Sequence, residues 1–297
     1  MYDIKMTKNS PLLVIVGETA SGKSALALEL AQRFNGEIIC ADSWTVRREV
    51  NIGTAKPTAE EQALVPHHLL DVVGPDEDFT AAVFKDLANQ AINDISNKGK
   101  LPIMVGGTGL YIDGVIYGYG FLPAGDRDDR KELNKMSVGE LLAKISDLGL
   151  ELGDVDTRNK RRLIRLIETN GTVPSRQELR ENTLILGLQS DREVLRARIE
   201  QRVDAMIEAG LEDEVRGLVE RYGWQAEALK GVGYAQWRGY LEGTQTLDET
   251  RQKIIRATLD LAKRQRTWFK RNKSIQWYAT PVDLTKNVAT VTTFLAS

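Results

Sequence analysis

Short apolar runs recur along the chain and predict buried strands. Residues 12–16, 37–41, 101–105 and 184–188 consist mainly of apolar side chains, and residues 276–278 form a shorter final run. A strand covered on both faces has this pattern, because none of its positions faces water. We therefore expect these runs to form strands of one sheet.

Apolar residues recur every three or four positions between these runs, which is the period of an α-helix. The pattern extends over residues 24–34, 79–97 and 248–273, and it begins again at residue 189. Strands that alternate with helices favour a parallel α/β sheet.

One segment departs from this alternation, because residues 121–182 are charged, helix-prone and poor in strand patterns. We predict an α/β core made of residues 1–120 and 183–297, with a helical C-terminal part. Residues 121–182 would form a helical insertion domain.

The first predicted strand is followed by a glycine-rich loop that ends in Gly-Lys-Ser. The spacing G-x4-G-K-S between a strand and a helix is that of a P-loop, whose backbone N–H groups surround phosphate oxygens. The following helix adds its positive N-terminal end. Lys23 supplies a cation, and the Ser24 hydroxyl can reach Mg²⁺. We predict a P-loop NTPase-like core whose phosphate loop consists of Gly17, Glu18, Thr19, Ala20, Ser21, Gly22, Lys23 and Ser24.

A P-loop does not identify the reaction, because ATP-binding hydrolases, kinases and other nucleotide-binding enzymes share it. ATP hydrolysis usually needs an apolar strand that ends in Asp to help hold the metal. The run 101–105 ends instead in Gly-Gly-Thr-Gly, and only the run 37–41 is followed by an acid, Asp42. Ligands of open α/β sheets bind at the carboxyl ends of the strands. Asp42 is therefore expected beside the phosphate loop.

Overall composition narrows the class of protein. The net charge of −2 does not indicate a nucleic-acid binder, so any such surface must be local. A single cysteine, Cys40, excludes an intramolecular disulfide, and with two histidines it argues against structural zinc. No run reaches the roughly 20 apolar residues that span a bilayer, and residues 1–10 lack the apolar centre of a signal peptide. We expect a cytoplasmic monomer without a membrane partner.

Eight segments occur in an order that resembles the bacterial tRNA dimethylallyltransferases, also called tRNA isopentenyltransferases. They are GETASGKS, ADSWTVRREVNIGTAKPT, VPHHLLDV, LPIMVGGTGLYIDGVIYG, KRRLIRLIE, GLEDEV, GVGYAQW and KRQRTWF. The resemblance runs from about residue 12 to residue 278. It implies a transferase that moves a dimethylallyl group from its diphosphate to the N6 amine of an adenosine beside the anticodon of tRNA. The partners would be dimethylallyl diphosphate and the tRNA anticodon stem-loop, with Mg²⁺ as cofactor.

The resemblance also implies roles for individual residues. The phosphate loop would hold the diphosphate rather than ATP, and Asp42 would orient the amine and take its proton. Thr19 would contact the bridging region of the diphosphate, while Lys23 and Arg202 would stabilise the charge that grows as diphosphate leaves. Arg198 lies four residues before Arg202 on the same helical face, and the alignment favours Arg202.

Two basic segments are candidate contacts for RNA. Residues 158–165 contain five basic residues in eight, and residues 263–273 combine six with Trp268 and Phe269. A charge run alone is more often a solvated helix face, but the resemblance favours phosphate contacts. The tRNA-contacting positions that it implies are Asp42, Ser43, Trp44, Thr45, Thr108, Arg130, Arg161, Arg162, Leu163, Ile164 and Arg165.

Three features depart from the family pattern. Glu18 stands where the family usually has proline, and it brings a negative charge into the phosphate loop. Arg47 replaces a common tyrosine, and it could contact an RNA phosphate instead. The insertion is shorter than usual by about a helix pair, which affects the region expected to grip the anticodon stem.

Three other functions fit parts of the sequence. A small-molecule kinase would share the P-loop but would need ATP and a metal-holding acid. Prenyl transfer to a free adenine nucleotide would share the chemistry, although the basic segments favour a macromolecular acceptor. An RNA-binding module with an inactive P-loop would not need Lys23, Ser24 and Asp42, which are all present.

Overall fold

Parallel strands form one sheet in the computed structural model, which describes residues 10–122, 125–153 and 155–297. Within these residues the sheet has six strands in the order β3-β2-β4-β1-β5-β6, and every neighbouring pair is parallel. The strands are β1 (Leu12–Gly17), β2 (Gly36–Cys40), β3 (His67–His68), β4 (Leu101–Gly106), β5 (Thr183–Gln189) and β6 (Ile275–Ala279).

The predicted parallel α/β sheet is confirmed, and all five expected runs are strands. β1, β2 and β4 are buried along their whole length, which explains their nearly continuous apolar sequence. The strand β3 was not predicted, because two histidines carry no apolar pattern. His68 Nε2 contacts the Glu37 carboxylate at 2.7 Å, which fixes this short edge strand beside β2.

The described residues also form α-helices. They are α1 (Lys23–Arg33), α2 (Ala59–Leu64), α3 (Ala81–Asn97), α4 (Gly109–Ile116), α5 (Arg127–Lys135), α6 (Val138–Asp147), α7 (Lys160–Glu168), α8 (Arg192–Glu208), α9 (Leu211–Tyr222), α10 (Arg238–Leu241), α11 (Leu247–Phe269) and α12 (Leu284–Ala296). The helical pattern that begins at residue 189 is two helices, since Gly210 has φ 95° and separates α8 from α9. Every helix in the described part of the chain is too short or too polar to cross a bilayer.

The chain divides into two compact units. The core unit ends at Ile116 and resumes at Leu179, and the helical unit comprises Tyr117–Glu178. The core unit holds the sheet and the helices α1–α4 and α8–α12. Its apolar core has one cluster around the sheet and a second that includes Leu195 and Ile199 of α8, Val215 of α9 and Ile254 of α11.

Three glycines at and after the end of β4 allow neighbouring elements to approach the carboxyl edge of the sheet closely. A Cβ on Gly107 would overlap the side-chain amide of Gln265, and a Cβ on Gly109 would overlap the ring of Trp268. A Cβ on Gly106 would overlap the backbone of Ala41 after β2. The Gly-Gly-Thr-Gly segment therefore packs closely against α11 and against the chain that leads to Asp42.

The helical unit has its own small core between α5, α6 and α7. It consists of Leu133, Leu141, Ile145, Leu163, Ile164 and Leu166, each at most 6% exposed. Leu163 and Ile164 are 0% and 1% exposed, so their side chains do not form an RNA-contacting surface. The sequence prediction for these two residues is corrected accordingly: they lie on the apolar face of an amphipathic helix whose other face carries the arginines.

We expect Leu163→Ala to destabilise the chain by about 2–5 kcal/mol, because it leaves a cavity in a fully packed cluster. Arg161→Ala, on the exposed face of the same helix, should change stability by no more than about 0.5 kcal/mol. Urea unfolding followed by circular dichroism measures both changes. Equal stability of the two variants would contradict the core assignment.

Candidate active site

The phosphate loop connects β1 to α1 and has the conformation that anion-binding loops require. Ala20 has φ 60° and Gly22 has φ 88°, so the chain curls tightly before α1 begins at Lys23. Lys23 Nζ donates a hydrogen bond to the carbonyl oxygen of Glu18 at 3.1 Å, across the loop. The Ser24 side chain is exposed at the first turn of α1. This end of the helix combines free N–H groups, a positive dipole and an ammonium.

Two cations lie close together at this site. Burial, followed by repulsion from Arg202, lowers the pKa of Lys23 to about 8, and the carboxylates of Asp42 and Glu18 oppose that shift. Burial likewise lowers the pKa of Arg202, while Asp42 acts in the opposite direction. The site therefore holds positive charge that an anionic ligand would stabilise.

Asp42 follows β2 and is held by the turn that it begins. The backbone N–H of Trp44 donates to Asp42 Oδ1 at 2.8 Å, which is a local turn typical of aspartate. The strand β2 is separated from β1 by β4, so Asp42 reaches the phosphate loop across the carboxyl edge of one intervening strand. This places its carboxylate at the edge where open α/β sheets bind ligands.

Two adjacent cavities share a wall formed by Thr19, Asp42, Thr54, Arg202 and Leu261. The first cavity, of about 100 Å³, also contacts Lys23, Ser24, Cys40, His67 and Gln265. The second cavity, of about 70 Å³, is lined mainly by apolar side chains, including Trp44, Ile199, Val203, Met206, Val232 and Ile254. Burial raises the pKa of the Cys40 thiol to about 12, so this cysteine is not a nucleophile at neutral pH.

Arg202, rather than Arg198, lines these cavities. Arg202 Nη2 donates to the carbonyl oxygen of Thr54 at 3.3 Å. Arg198 instead donates to Thr280 Oγ1 at 3.4 Å, on the outer side of the phosphate loop. One turn of α8 thus separates an arginine in the cavity from one outside it.

The carbonyl that holds Arg202 belongs to the wall loop, residues 51–57. The N–H groups of Asn51, Ile52 and Gly53 donate to the carboxylate of Glu214 at 2.9–3.1 Å. The hydroxyl of Tyr234 donates to the same carboxylate at 2.7 Å. A single side chain of α9 therefore fixes the backbone that precedes Thr54.

Helix α11 holds the phosphate loop through contacts with Glu18 and Thr19. Glu18 is 2% exposed, and both of its carboxylate oxygens accept hydrogen bonds from Arg266. The N–H of Thr19 donates to Gln265 Oε1 at 2.8 Å. Arg266 belongs to the basic segment 263–273, but it is engaged with Glu18 and is not part of an exposed basic face.

The residues after Asp42 lie near Thr108, and not all of them are accessible. Thr108 Oγ1 accepts from the N–H of Ser43 at 3.0 Å and donates to Ser43 Oγ at 3.4 Å. Trp44 is half-buried and lines the second cavity. Thr45 is 7% exposed, lines the first cavity, and its hydroxyl has no hydrogen-bond partner among the described residues.

Arg47 does not provide the RNA phosphate contact that the sequence allowed. It is 6% exposed, and its Nη1 donates to the carbonyl oxygens of Gly74 and Glu77 at 3.1 and 2.6 Å. Burial lowers its pKa, but an arginine remains charged. Arg47 thus supports the backbone of residues 74–77, and its guanidinium carbon lies 6.0 Å from the centroid of the Trp44 ring.

In the helical unit, two predicted RNA contacts are engaged with one carboxylate. Arg130 Nη1 and Arg165 Nη1 contact Glu168 at 3.0 and 3.1 Å, and Arg165 Nη2 donates to the carbonyl oxygen of Leu122 at 2.6 Å. Arg161 and Arg162 are exposed on α7. The free cationic surface of this segment is therefore provided by Arg161 and Arg162.

Comparison with known proteins decides the family. The family model described as IPP transferase matches residues 45–272. The chain belongs to the IPP transferase family. The phosphate loop and Asp42 precede the matched residues.

Close relatives of this IPP transferase cover nearly the whole chain. It is 42% identical over 271 residues to the tRNA dimethylallyltransferase of Streptococcus thermophilus, covering 90% of each protein. It is 44% identical over 281 residues to that of Roseiflexus castenholzii, covering 89% of this chain and 91% of the relative.

Solved structures of the family have the same fold. The full-length tRNA isopentenylpyrophosphate transferase of Bacillus halodurans has a TM-score of 0.74 and 39% identity, over 96% of this chain and 95% of that one. A eukaryotic dimethylallyltransferase acting on tRNA has a TM-score of 0.79 and 25% identity, over 96% and 79%.

Sequence reasoning missed four residues that support the site, of which Gln265 also lines the first cavity. Gln265, Arg266, Glu214 and Tyr234 lie in the segments KRQRTWF, GLEDEV and GVGYAQW. A polar residue within an apolar helical stripe, such as Gln265, could have indicated an inward-facing role. The partners of these four residues are more than 20 positions away or in other elements, so the pairings themselves had no local signal.

Because the pKa of Lys23 is lowered to about 8, the ammonium is lost as the pH rises through that value. We expect the affinity for inorganic diphosphate to fall above this pH, by up to about tenfold per pH unit. Lys23→Arg keeps its charge, so its affinity should stay nearly level over the same range. Isothermal titration calorimetry measures both. An equally steep fall in both proteins would assign the titration to another group.

Proposed function

We propose that this IPP transferase moves a dimethylallyl group from dimethylallyl diphosphate to the N6 amine of an adenosine next to the anticodon of tRNA. The observation that carries the proposal is the first cavity, which Asp42 lines together with Thr19, Lys23 and Arg202. A carboxylate and a cationic phosphate site in one space suit the deprotonation of an amine beside a leaving diphosphate.

The first cavity is proposed to hold the diphosphate. The N–H groups of the phosphate loop, the Lys23 ammonium and the Arg202 guanidinium would stabilise the charge that develops as the bond from C1 of the dimethylallyl group to oxygen breaks. The apolar second cavity would hold the dimethylallyl group. The side chains of Ile199, Val203 and Ile254 offer a surface without hydrogen-bonding groups.

The acceptor amine is a weak nucleophile, because its lone pair is conjugated with the adenine ring. Asp42 Oδ1 is engaged by the N–H of Trp44, which leaves Oδ2 to accept a hydrogen bond from the amine. As N6 bonds to C1, the carboxylate takes the proton and diphosphate leaves with the electron pair of the broken bond. The target base would have to leave the anticodon-loop stack to reach Asp42, and Trp44 would offer an aromatic face beside it.

Mg²⁺ fits the first cavity through Ser24. The Ser24 hydroxyl is exposed at the first turn of α1 and lines the same cavity as Asp42. Magnesium typically takes one or two protein oxygens and completes its shell with water and substrate phosphates. When bound, it would neutralise part of the charge on the leaving diphosphate.

The exposed arginines of α7 support RNA binding by the helical unit. We propose that Arg161 and Arg162 contact phosphates of the anticodon stem-loop, since each such contact releases counterions and makes binding salt-dependent. The exposed side chains of Lys263, Arg264, Lys270 and Arg271 on and after α11 are a second candidate surface.

A small-molecule kinase is not favoured by the arrangement of strands. β4 is the neighbour of β1. Its last residue, Gly106, packs against Ala41, and Gly107 and Gly109 just after it pack against α11. The position from which a kinase or ATPase would present a metal-holding aspartate is thus occupied by tightly packed backbone.

The decisive experiment is incubation with labelled dimethylallyl diphosphate, Mg²⁺ and unmodified tRNA, with ATP withheld. We expect label in the RNA, attached to N6 of an adenosine beside the anticodon. Absence of label from a folded protein would refute prenyl transfer to tRNA. A parallel incubation contains a free adenine nucleotide in place of tRNA. Label in that nucleotide but none in tRNA would instead favour the nucleotide acceptor.

Asp42→Asn should lower kcat by about 10²- to 10⁴-fold while tRNA binding stays unchanged. The amide oxygen can still accept from the Trp44 N–H, so the turn is kept, but an amide cannot take the proton. Asp86→Asn, at an exposed position of α3, is the matched control and should transfer at the normal rate. Near-normal turnover by Asp42→Asn would show that the base is another group.

Removal of both Arg161 and Arg162 should weaken tRNA binding and reduce the slope of log affinity against log salt by about 1 to 2. A variant of equal charge change, Arg196→Ala with Arg216→Ala, removes arginines that pair with Glu200 and Glu212 on α8 and α9. Filter binding of labelled tRNA at several salt concentrations gives both slopes. Identical slopes for the two double variants would exclude specific phosphate contacts by Arg161 and Arg162.

A further inference from the structure

Glu18 places a carboxylate within the phosphate loop, between Gly17 and Thr19. Its side chain is 3% exposed, so water screens the charge very little. A carboxylate beside an anion site repels the anion, and the repulsion grows as the local dielectric constant falls. The loop can bind a diphosphate well only when this charge is compensated.

Arg266 of α11 compensates it with a two-bond contact. Arg266 Nε donates to Glu18 Oε1, and Nη2 donates to Oε2 at 2.9 Å. This fork geometry is the strongest and most directional contact between arginine and a carboxylate. Nη2 also donates to the carbonyl oxygen of Ser190 at 3.3 Å. Arg266 therefore joins the phosphate loop to the chain that follows β5.

The backbone of Glu18 serves the interior of the phosphate loop. Its carbonyl oxygen accepts hydrogen bonds from Lys23 Nζ at 3.1 Å and from the N–H of Ser21 at 3.2 Å. Glu18 thus orients the Lys23 ammonium through its backbone carbonyl and binds α11 through its side chain. Glu18 lines neither of the two cavities, whereas Thr19 lines both.

We infer that Arg266 is a positioning residue for the diphosphate site. It neutralises the Glu18 carboxylate, holds it on the α11 side of the phosphate loop, and so keeps the loop able to accept a polyanion. The inference rests on the proposed function of the loop as the diphosphate site. It separates Arg266 from its basic neighbours Lys263 and Arg264, whose side chains are exposed.

Three variants distinguish charge compensation from a purely structural contact. Arg266→Gln leaves the carboxylate unpaired, so Mg²⁺ with inorganic diphosphate should bind about 10- to 100-fold more weakly in calorimetry. Glu18→Gln leaves a cation unpaired and should bind at least as tightly as the unmodified protein. The double variant removes both charges, and it should recover to within about threefold of the unmodified protein.

Arg251→Gln is the matched control. Arg251 lies on α11 and forms the same two-bond contact with Asp204 of α8, with Nη2 donating to Oδ2 at 2.9 Å. This contact involves neither the phosphate loop nor the cavity-lining residues. Diphosphate affinity should therefore be unaffected by Arg251→Gln, although the number of ion pairs lost on α11 is the same.

In transfer assays, Arg266→Gln should raise the KM for dimethylallyl diphosphate and leave the KM for tRNA unchanged. Normal diphosphate affinity of Arg266→Gln would overturn the inference, as would a double variant that binds as weakly as Arg266→Gln. If Arg266→Gln does not fold, Glu18→Gln decides the question. A fall in its diphosphate affinity of about tenfold or more would overturn the inference, because it would show that the carboxylate itself is needed.

Failure of the proposed function would give a different set of diphosphate affinities from failure of this inference alone. In that case the unmodified protein and Lys23→Ala would bind diphosphate equally poorly, and the inference would fall with it. When the inference alone is wrong, the unmodified protein binds, Lys23→Ala does not, and Arg266→Gln behaves as the unmodified protein does.

Discussion

Two half-buried cations, Lys23 and Arg202, line one cavity, and holding their charge away from water is the constraint on which the site depends. Burial and the neighbouring positive charge lower the pKa of Lys23. Keeping both groups charged at one cavity therefore lowers the stability of the folded protein. Each cation donates to a backbone carbonyl oxygen, that of Glu18 for Lys23 and that of Thr54 for Arg202. Positive charge held in this way is preorganised for an anion and needs little rearrangement when the anion arrives.

Those two carbonyls are fixed by side chains that lie behind the loops. Glu214 accepts from three consecutive N–H groups before Thr54, and Arg266 holds the side chain of Glu18. The residues that would touch the substrate are therefore supported by residues from α9 and α11 that would not.

The sequence allowed the sheet, the phosphate loop and the position of Asp42 to be predicted, because each depends on a local pattern. Leu12–Gly17 is apolar throughout, and the glycine spacing after it determines the loop. The roles of Gln265, Arg266 and Glu214 depend on contacts across more than 160 residues, and no local pattern encodes such pairings. Leu163 and Ile164 were misassigned for a related reason, since a basic segment was considered as a whole and its apolar helical face was overlooked.

The glycines after β4 have a consequence for how this sequence can vary. Gly107 and Gly109 leave room for Gln265 and Trp268 of α11, although more than 150 positions separate the two segments. A larger side chain at either glycine would be tolerated only together with a smaller one on α11, so the two segments should change in a correlated way during evolution. Mutagenesis that aims to reshape the donor site would accordingly have to sample both segments in one library.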